Sequence, residues 1–155
     1  MIKKLYKYRF ILLFLTLSIL LAGFIFHNSL QDSQTSNARS SSIAEEVKPI
    51  VDPQGLIEEN AFLKFIRKLA HGVEFCILGC CMGGLLYSIN AVYQHYNLFM
   101  MLFVLLSTAV IDEYIQSFMG RTSSVKDILI DFGGAVVGVL LVVIIMTMHK
   151  KYRRR

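Results

Sequence analysis

The chain has 155 residues, of which 55% are apolar and 17% are charged, and its formal net charge is +5. A single domain of this size has too little interior to bury so much apolar surface, so the composition excludes an ordinary soluble protein. The positive charge does not indicate a nucleic-acid partner, because nine of the sixteen Lys and Arg residues lie at the two chain ends beside apolar runs. Charge in that position is typical of the flanks of membrane spans.

Four apolar stretches are long enough to cross the hydrocarbon core of a bilayer, which takes about 20 helical residues. We interpret the first as an uncleaved anchor, because it is longer than the apolar part of a signal peptide and no small-residue cleavage site follows it. The sequence therefore predicts an all-α polytopic membrane protein, in which one domain, residues 1–155, forms a bundle of four transmembrane helices. The predicted spans are residues 10–26, 69–89, 98–118 and 125–148.

Two short polar turns, residues 90–97 and 119–124, separate the last three spans. Connections of this length are typical of antiparallel neighbours in a helical bundle. We therefore expect the second, third and fourth spans to pack against their neighbours in the chain.

The only long connection is a predicted outer loop, residues 27–68. Its first part, residues 28–42, is rich in Ser, Asn and Gln and is expected to be irregular. The sequence Ser42-Ile43-Ala44-Glu45 then matches a capping box, and apolar residues recur at helical spacing after it. We predict a short amphipathic helix that lies on the membrane surface and is ended by Pro53 and Gly55.

The basic residues at the chain ends predict the orientation. Four spans put both termini on one side, and Lys and Arg are enriched on the cytoplasmic side of membrane proteins. We therefore predict a multi-pass protein of the bacterial plasma membrane with both termini in the cytoplasm. Five basic residues fall on the opposite side among acidic residues, and we interpret them as part of a site: Lys64, Arg67, Lys68, Arg121 and Lys126.

Ionisable side chains gather at the outer ends of the last three spans. Helical spacing places several of them on shared stripes, and a rise of 1.5 Å per residue puts the carboxylates of three spans at a similar depth, roughly 10 Å. A charge in hydrocarbon costs about 2.5–3.5 kcal/mol, so these groups must face protein, a partner or water. The predicted binding residues are Arg67, His71, Glu74, Asp112, Glu113, Gln116, Arg121, Asp127 and Asp131.

Glycines beneath these residues predict how the helices approach one another. Pairs at i and i+4 allow close contact of membrane helices, and two such pairs are present: Gly79 with Gly83, and Gly134 with Gly138. Two interpretations of the polar residues remain open. Five carboxylates face four cations, so the residues could neutralise one another in a purely structural network, or they could form a pocket that opens to the outside.

These residues carry a resemblance to the VanZ-like family of bacterial membrane proteins. The matching parts are Arg67-Lys68-Leu69-Ala70-His71 with Glu74, then Asp112-Glu113-x-x-Gln116, then Gly120-Arg121 followed by Asp127, Asp131, Gly134 and Gly138. The chain has Met119 where the family often has Pro. The family name comes from a member associated with low-level resistance to teicoplanin, a lipoglycopeptide that attacks cell-wall precursors. The resemblance implies a role in the cell envelope and leaves the chemistry open.

Three functions from different classes follow from the pocket. The first is an accessory protein that binds a lipid-linked wall precursor or a lipoglycopeptide among membrane lipids, with Arg67 and Arg121 on its phosphate or carboxylate. The second is an intramembrane hydrolase or transferase, with His71 as acid or base oriented by Glu74 or Glu113. The third is an oligomeric transporter or channel. No cofactor or metal is assigned, although His71, Asp112 and Glu113 could hold a divalent ion.

Overall fold

The computed structural model of the protein describes residues 2–94, 97–121 and 123–152, and the regular structure in these residues is entirely helical. The predicted all-α fold is therefore confirmed. Four of the five helices contain a segment long and apolar enough to cross a membrane, which are Tyr8–Ser29, Glu59–Tyr93, Leu98–Phe118 and Val125–His149. The helices are α1 (Ile2–Ser29), α2 (Ser33–Val51), α3 (Glu59–Tyr93), α4 (Leu98–Phe118) and α5 (Val125–Tyr152).

The connection between the first two spans is more helical than predicted. Residues 28–42 were expected to be irregular, which is wrong, because α2 begins at Ser33. Asp32 caps this helix by accepting a 2.8 Å hydrogen bond from the backbone N–H of Thr35. The predicted capping box at Ser42 lies inside the helix instead, where the Ser42 hydroxyl donates to the carbonyl of Ala38 at 3.2 Å. The helix ends at Val51, just before Pro53 as expected.

Helix α3 begins ten residues before the predicted second span, so residues 59–68 belong to this helix and not to a loop. The charges in this segment do not break the helix, because its apolar side is covered. Phe62 and Ile66 are buried against Ala44 of α2. This contact attaches α2 to the bundle.

Asp52 organises the connection from α2 to α3. Its two carboxylate oxygens accept hydrogen bonds from the backbone N–H groups of Leu56, at 2.9 Å, and Ile57, at 2.8 Å. The bond from Ile57 is the largest cause of a lowered pKa of the Asp52 carboxyl group, to which Leu56 and the nearby charge of Lys48 also contribute. The short connection is therefore fixed by an ionised carboxylate.

The four long helices form a bundle in which α3 packs mainly along α5 and along α1. Helix α4 packs against α5 and α1 on the other side. Chain neighbours α4 and α5 thus pack together as expected, whereas α3 and α4 make little contact. Helices α3 and α4 meet mainly through side chains of the core, such as Phe75 and Leu105, because the closest contacts of α3 are with α5 and α1.

The glycines predicted to mediate close approach lie where α3 meets α5. A β-carbon built on Gly138 would overlap the carbonyl oxygen of Cys76, and one on Gly134 would overlap the carbonyl oxygen of Gly72. The two backbones are therefore in direct contact, which only residues without a side chain permit. The glycines at this contact include Gly79 and Gly83 of α3 and Gly134 and Gly138 of α5.

The buried core lies directly next to the polar residues. It contains Phe75 of α3, Leu105 and Ala109 of α4, and Ala135 of α5, together with Ile25 of α1. Ala109 comes one turn before the buried polar residues of α4, and Ala135 comes one turn after those of α5. The packed apolar core thus fixes the four helices at the level where the polar side chains begin.

Candidate functional site

The polar side chains at one end of the bundle come from four helices and one turn. We call this group the polar cluster. It contains the nine predicted binding residues and Lys68, which the sequence also placed at the site, together with two that the structure adds, Asn28 and Ser29. Among the cluster's residues, Asp112, Glu113, Gln116, Asp131 and Ser29 are buried.

Asp112 of α4 lies at the centre of the cluster and is fully buried. Its Oδ1 accepts a 2.6 Å hydrogen bond from the hydroxyl of Ser29, at the end of α1. Its Oδ2 accepts a 2.7 Å hydrogen bond from the amide of Gln116. Both oxygens of Asp112 therefore accept a hydrogen bond, and the two bonds fix the carboxylate in one orientation.

His71 of α3 lies between Asp112 and Arg121. Its Nδ1 is 3.8 Å from Oδ2 of Asp112, and its Nε2 is 3.4 Å from Nη2 of Arg121. A guanidinium can only donate, so a hydrogen bond to Arg121 requires Nε2 to accept and places the proton of the neutral imidazole on Nδ1. The sequence suggested that Glu74 or Glu113 orients this histidine. The structure instead places Asp112 against it.

Glu74 and Glu113 have other partners. Glu74 Oε1 accepts a 3.0 Å hydrogen bond from the side-chain amide of Asn28. Glu113 Oε1 accepts a 2.6 Å hydrogen bond from the backbone N–H of Ser124, in the turn before α5. The second oxygen of each carboxylate is buried and has no hydrogen-bond partner in the described part of the chain. Such atoms are costly unless a ligand or water satisfies them.

The two acidic residues of α5 differ in their surroundings. Asp127 forms an ion pair with Lys68 of α3. Asp131, one turn further along, is only 2% exposed, and no hydrogen bond or ion pair joins it to the residues that the structure describes. Its neighbours include the carboxylates of Asp112 and Glu113. Asp131 is thus a buried acid without a protein cation beside it.

The arginines of the cluster are also without carboxylate partners. In the described ranges, the salt bridges of Lys and Arg side chains join Lys48 to Glu59 and Lys68 to Asp127. Arg67 makes only a long hydrogen bond of 3.5 Å to Asn37 of α2, and Nε of Arg121 is buried without a partner. Burial, and next the charge of Arg67, lower the pKa of Arg121. Lys126, counted in the sequence as a balancing charge, is exposed to solvent.

Three cavities meet at the two arginines. The innermost, of about 20 Å³, is lined by residues that include His71, Glu113 and Asp131, and it has room for one water molecule or one ion. A second cavity of about 680 Å³ lies beside the beginnings of α2 and α3. A third, of about 250 Å³, lies beneath α2. Arg67 and Arg121 line all three.

Asn28 and Ser29 were missed because they follow the apolar run of the first span, where the sequence analysis placed the start of a loop. Helix α1 continues through Ser29, which carries both side chains to the level of the cluster. Their position in the sequence could have indicated this role. Both residues can form hydrogen bonds, and both directly follow an apolar span, so they lie at the same level as the polar residues of the other spans.

A bundle of four long apolar helices with buried polar side chains at one end defines a multi-pass membrane protein. The chain matches the model of the protein family described as VanZ/LLP1 over residues 14–146, and it belongs to that family. This match covers most of the four spans and confirms the resemblance found in the sequence. No curated protein and no solved structure gives a significant match.

Proposed function

We propose that this protein is an accessory protein of the bacterial cell envelope that binds the anionic head group of an amphiphile. The ligand is a lipid-linked wall precursor or a lipoglycopeptide, the second of which would give a role in antibiotic resistance. In this proposal the polar cluster faces the outer side of the plasma membrane and both termini are cytoplasmic. The whole chain acts as one membrane domain.

The observation that carries the proposal is that, among the residues that the structure describes, no carboxylate forms a salt bridge with Arg67 or Arg121. Five carboxylates belong to the same cluster, yet within the described ranges the one paired with a Lys or Arg is Asp127, which pairs with Lys68. A network that existed only to hold the helices together would be expected to pair its arginines. Arginine binds phosphate and carboxylate groups through two parallel hydrogen bonds, so two uncommitted guanidinium groups favour an anionic ligand.

The shape beside the arginines suits a ligand with a polar head and an apolar tail. The cavity beneath α2 is lined by both polar and apolar side chains, which include Arg67 and Arg121 as well as Phe24, Ile43 and Ile66. An amphiphile in the outer leaflet would place its anionic group at the arginines and its chain against these apolar residues. Helix α2 covers this cavity, so it would contact the bound ligand.

The proposed orientation follows from the terminal basic residues, of which Arg153, Arg154 and Arg155 lie outside the described residues. Four spans then place the α2 end of the bundle on the outer side. Wall precursors and lipoglycopeptides meet at that side of the membrane, so the orientation and the ligand class are consistent.

A hydrolase or transferase is the second candidate, and one distance favours it. Nδ1 of His71 lies 3.8 Å from the buried carboxylate of Asp112, an arrangement in which an acid can orient an imidazole for proton transfer. Binding remains the preferred function, because it uses the uncommitted arginines directly and needs no nucleophile.

Thermal stability in detergent tests the binding proposal. A polyprenyl diphosphate added to the purified chain should raise the Tm of the wild type, because a ligand that binds only the folded state stabilises it. Arg67→Gln and Arg121→Gln should lose this shift. Lys126→Gln, which removes an exposed cation in the first turn of α5, should keep it. Equal shifts in all four proteins would contradict the proposal, as would no shift in the wild type with this ligand or with teicoplanin.

A further inference from the structure

We propose that His71, Asp112 and Asp131 bind one divalent transition-metal ion, such as Zn²⁺ or Mn²⁺. The three residues come from three different helices, and each offers a ligand atom that lies within 4.8 Å of the other two. A donor set of one imidazole nitrogen and carboxylate oxygens suits Zn²⁺ and Mn²⁺ better than Ca²⁺ and Mg²⁺, which favour oxygen ligands alone. Bond lengths of about 2.1 Å allow ligand atoms to lie at most about 4.2 Å apart, so small side-chain rotations complete the site.

Unsatisfied acceptors point to a cation at this position. Glu113 is 1% exposed, its Oε2 has no partner in the described part of the chain, and it lines the small cavity together with His71 and Asp131. Nδ1 of His71 is also buried without a hydrogen bond. An ion bound by His71, Asp112 and Asp131 at the edge of this cavity would place a positive charge near Glu113, which could hold a water molecule bound to the metal.

The charge of the cluster leads to the same conclusion. Its carboxylates are Glu74, Asp112, Glu113, Asp127 and Asp131, and its permanent cations are Arg67, Lys68 and Arg121. Ionised together, these groups leave two excess negative charges, and three of the five carboxylates, Asp112, Glu113 and Asp131, are buried. One divalent cation would neutralise the excess, and the cavity of about 20 Å³ has room for a single ion.

Metal binding through Nδ1 of His71 has a consequence for Arg121. The imidazole must then carry its proton on Nε2, and this nitrogen can no longer accept a hydrogen bond from the guanidinium 3.4 Å away. The Arg121 side chain should therefore turn away from His71 when the ion binds. The metal site and the proposed ligand site share this arginine, but the metal proposal does not depend on the ligand, because metal is measured directly.

The experiment uses the full chain, purified in detergent and stripped with a chelator. Mn²⁺ binding is measured by electron paramagnetic resonance, and Zn²⁺ by elemental analysis after desalting. The wild type should bind one equivalent. Asp112→Asn and Asp131→Asn should weaken binding by roughly tenfold to a hundredfold or more. Arg121→Gln should bind metal more tightly, because a nearby positive charge is removed. Glu45→Gln, an exposed carboxylate of α2, is the control and should bind like the wild type.

A second measurement separates loss of the site from loss of the fold. Without metal, Asp131→Asn should have a Tm at or above that of the wild type, because the variant no longer buries an unpaired charge. Addition of Zn²⁺ at a concentration near the wild-type Kd should raise the Tm of the wild type and raise that of Asp131→Asn much less. The proposal is overturned if the wild type binds none of these ions, or if Asp131→Asn and Glu45→Gln bind them equally. Preferential binding of Ca²⁺ or Mg²⁺ would overturn the assignment to a transition metal.

Discussion

The hydroxyl of Ser29 donates a 2.6 Å hydrogen bond to Oδ1 of Asp112, and both side chains are fully buried. This contact joins the end of α1 to α4 at the level of the polar cluster. The amide of Gln116 holds the other oxygen of the same carboxylate and also lies 3.4 Å from the Ser29 hydroxyl. The first span is thus tied into the site by hydrogen bonds as well as by packing.

Ser29→Ala should destabilise the protein by about 1–3 kcal/mol, because one oxygen of a buried carboxylate loses its donor. The measurement is the thermal stability of the purified protein in detergent. The matched control is Ser18→Ala in the same helix, whose hydroxyl bonds only to the carbonyl of Phe14 one turn earlier. If the two variants lose equal stability, the hydrogen bond between Ser29 and Asp112 does not stabilise the protein more than a bond within one helix.

Gly138→Ala should destabilise the protein by about 1–3 kcal/mol or more, because the added methyl group meets the carbonyl oxygen of Cys76 and separates α3 from α5. Gly133→Ala is the control, since a β-carbon there meets nothing within 4 Å. The control should be neutral or more stable by about 0.5–1 kcal/mol, as expected for Ala in place of Gly within a helix. Membrane abundance and Tm distinguish the two variants. Equal tolerance of both would disprove the close backbone contact.

The connection between α2 and α3 should loosen in acid. The pKa of Asp52 is lowered in the folded state, so its contribution to stability is complete above the usual aspartate pKa, about 3.9, and is lost as the pH falls through the lowered value. Amide hydrogen exchange at Leu56 and Ile57, corrected for the intrinsic rate, should therefore accelerate only in strong acid. Asp52→Asn should accelerate it at neutral pH and remove this pH dependence. Equal protection in both proteins at neutral pH would exclude this role.

Reporter fusions test the orientation. A fusion after Arg155 should report the cytoplasm, and an insertion after Gln31, between α1 and α2, should report the outer side. The reason is the concentration of Lys and Arg next to the first and last spans. An external fusion after Arg155 would contradict the four-span topology and would move the proposed site away from the outer leaflet.

The number of long helices could be predicted from the sequence because it depends on local properties. Length and hydropathy define the spans, and helical periodicity places Asp127, Asp131, Gly134 and Gly138 on one stripe of α5. The start of α2 could not be predicted in this way. Its Ser-rich beginning has weak helical propensity, and the packing of Ala44 against Phe62 of α3 is a contact between distant parts of the chain.

Which charged side chains pair with one another also could not be predicted from the sequence. Counting charges indicated a nearly neutral group, but it could not show that Lys68 pairs with Asp127 while Arg67 and Arg121 form no salt bridge with a carboxylate of the described residues. Side-chain geometry decides such pairs, since several cations lie within reach of several acids. The partners of Asn28 and Ser29 depend in the same way on how far α1 extends. Hydropathy alone placed the end of this helix three residues too early.

The measurement that tests the central claim most directly is the cell-envelope phenotype of a deletion strain complemented by Arg121→Gln, compared with the membrane abundance of the variant. If Arg121 binds a ligand, activity should fall on the order of tenfold or more while abundance and Tm stay near those of the wild type. His71→Ala and Glu113→Gln should behave alike, whereas Asp131→Leu should lose abundance, because it fills a buried site beside the glycine contact. In a purely structural network, removal of one partner costs about 3–5 kcal/mol, so abundance and activity would fall together. A proportional loss of both in Arg121→Gln would therefore contradict the proposed binding site.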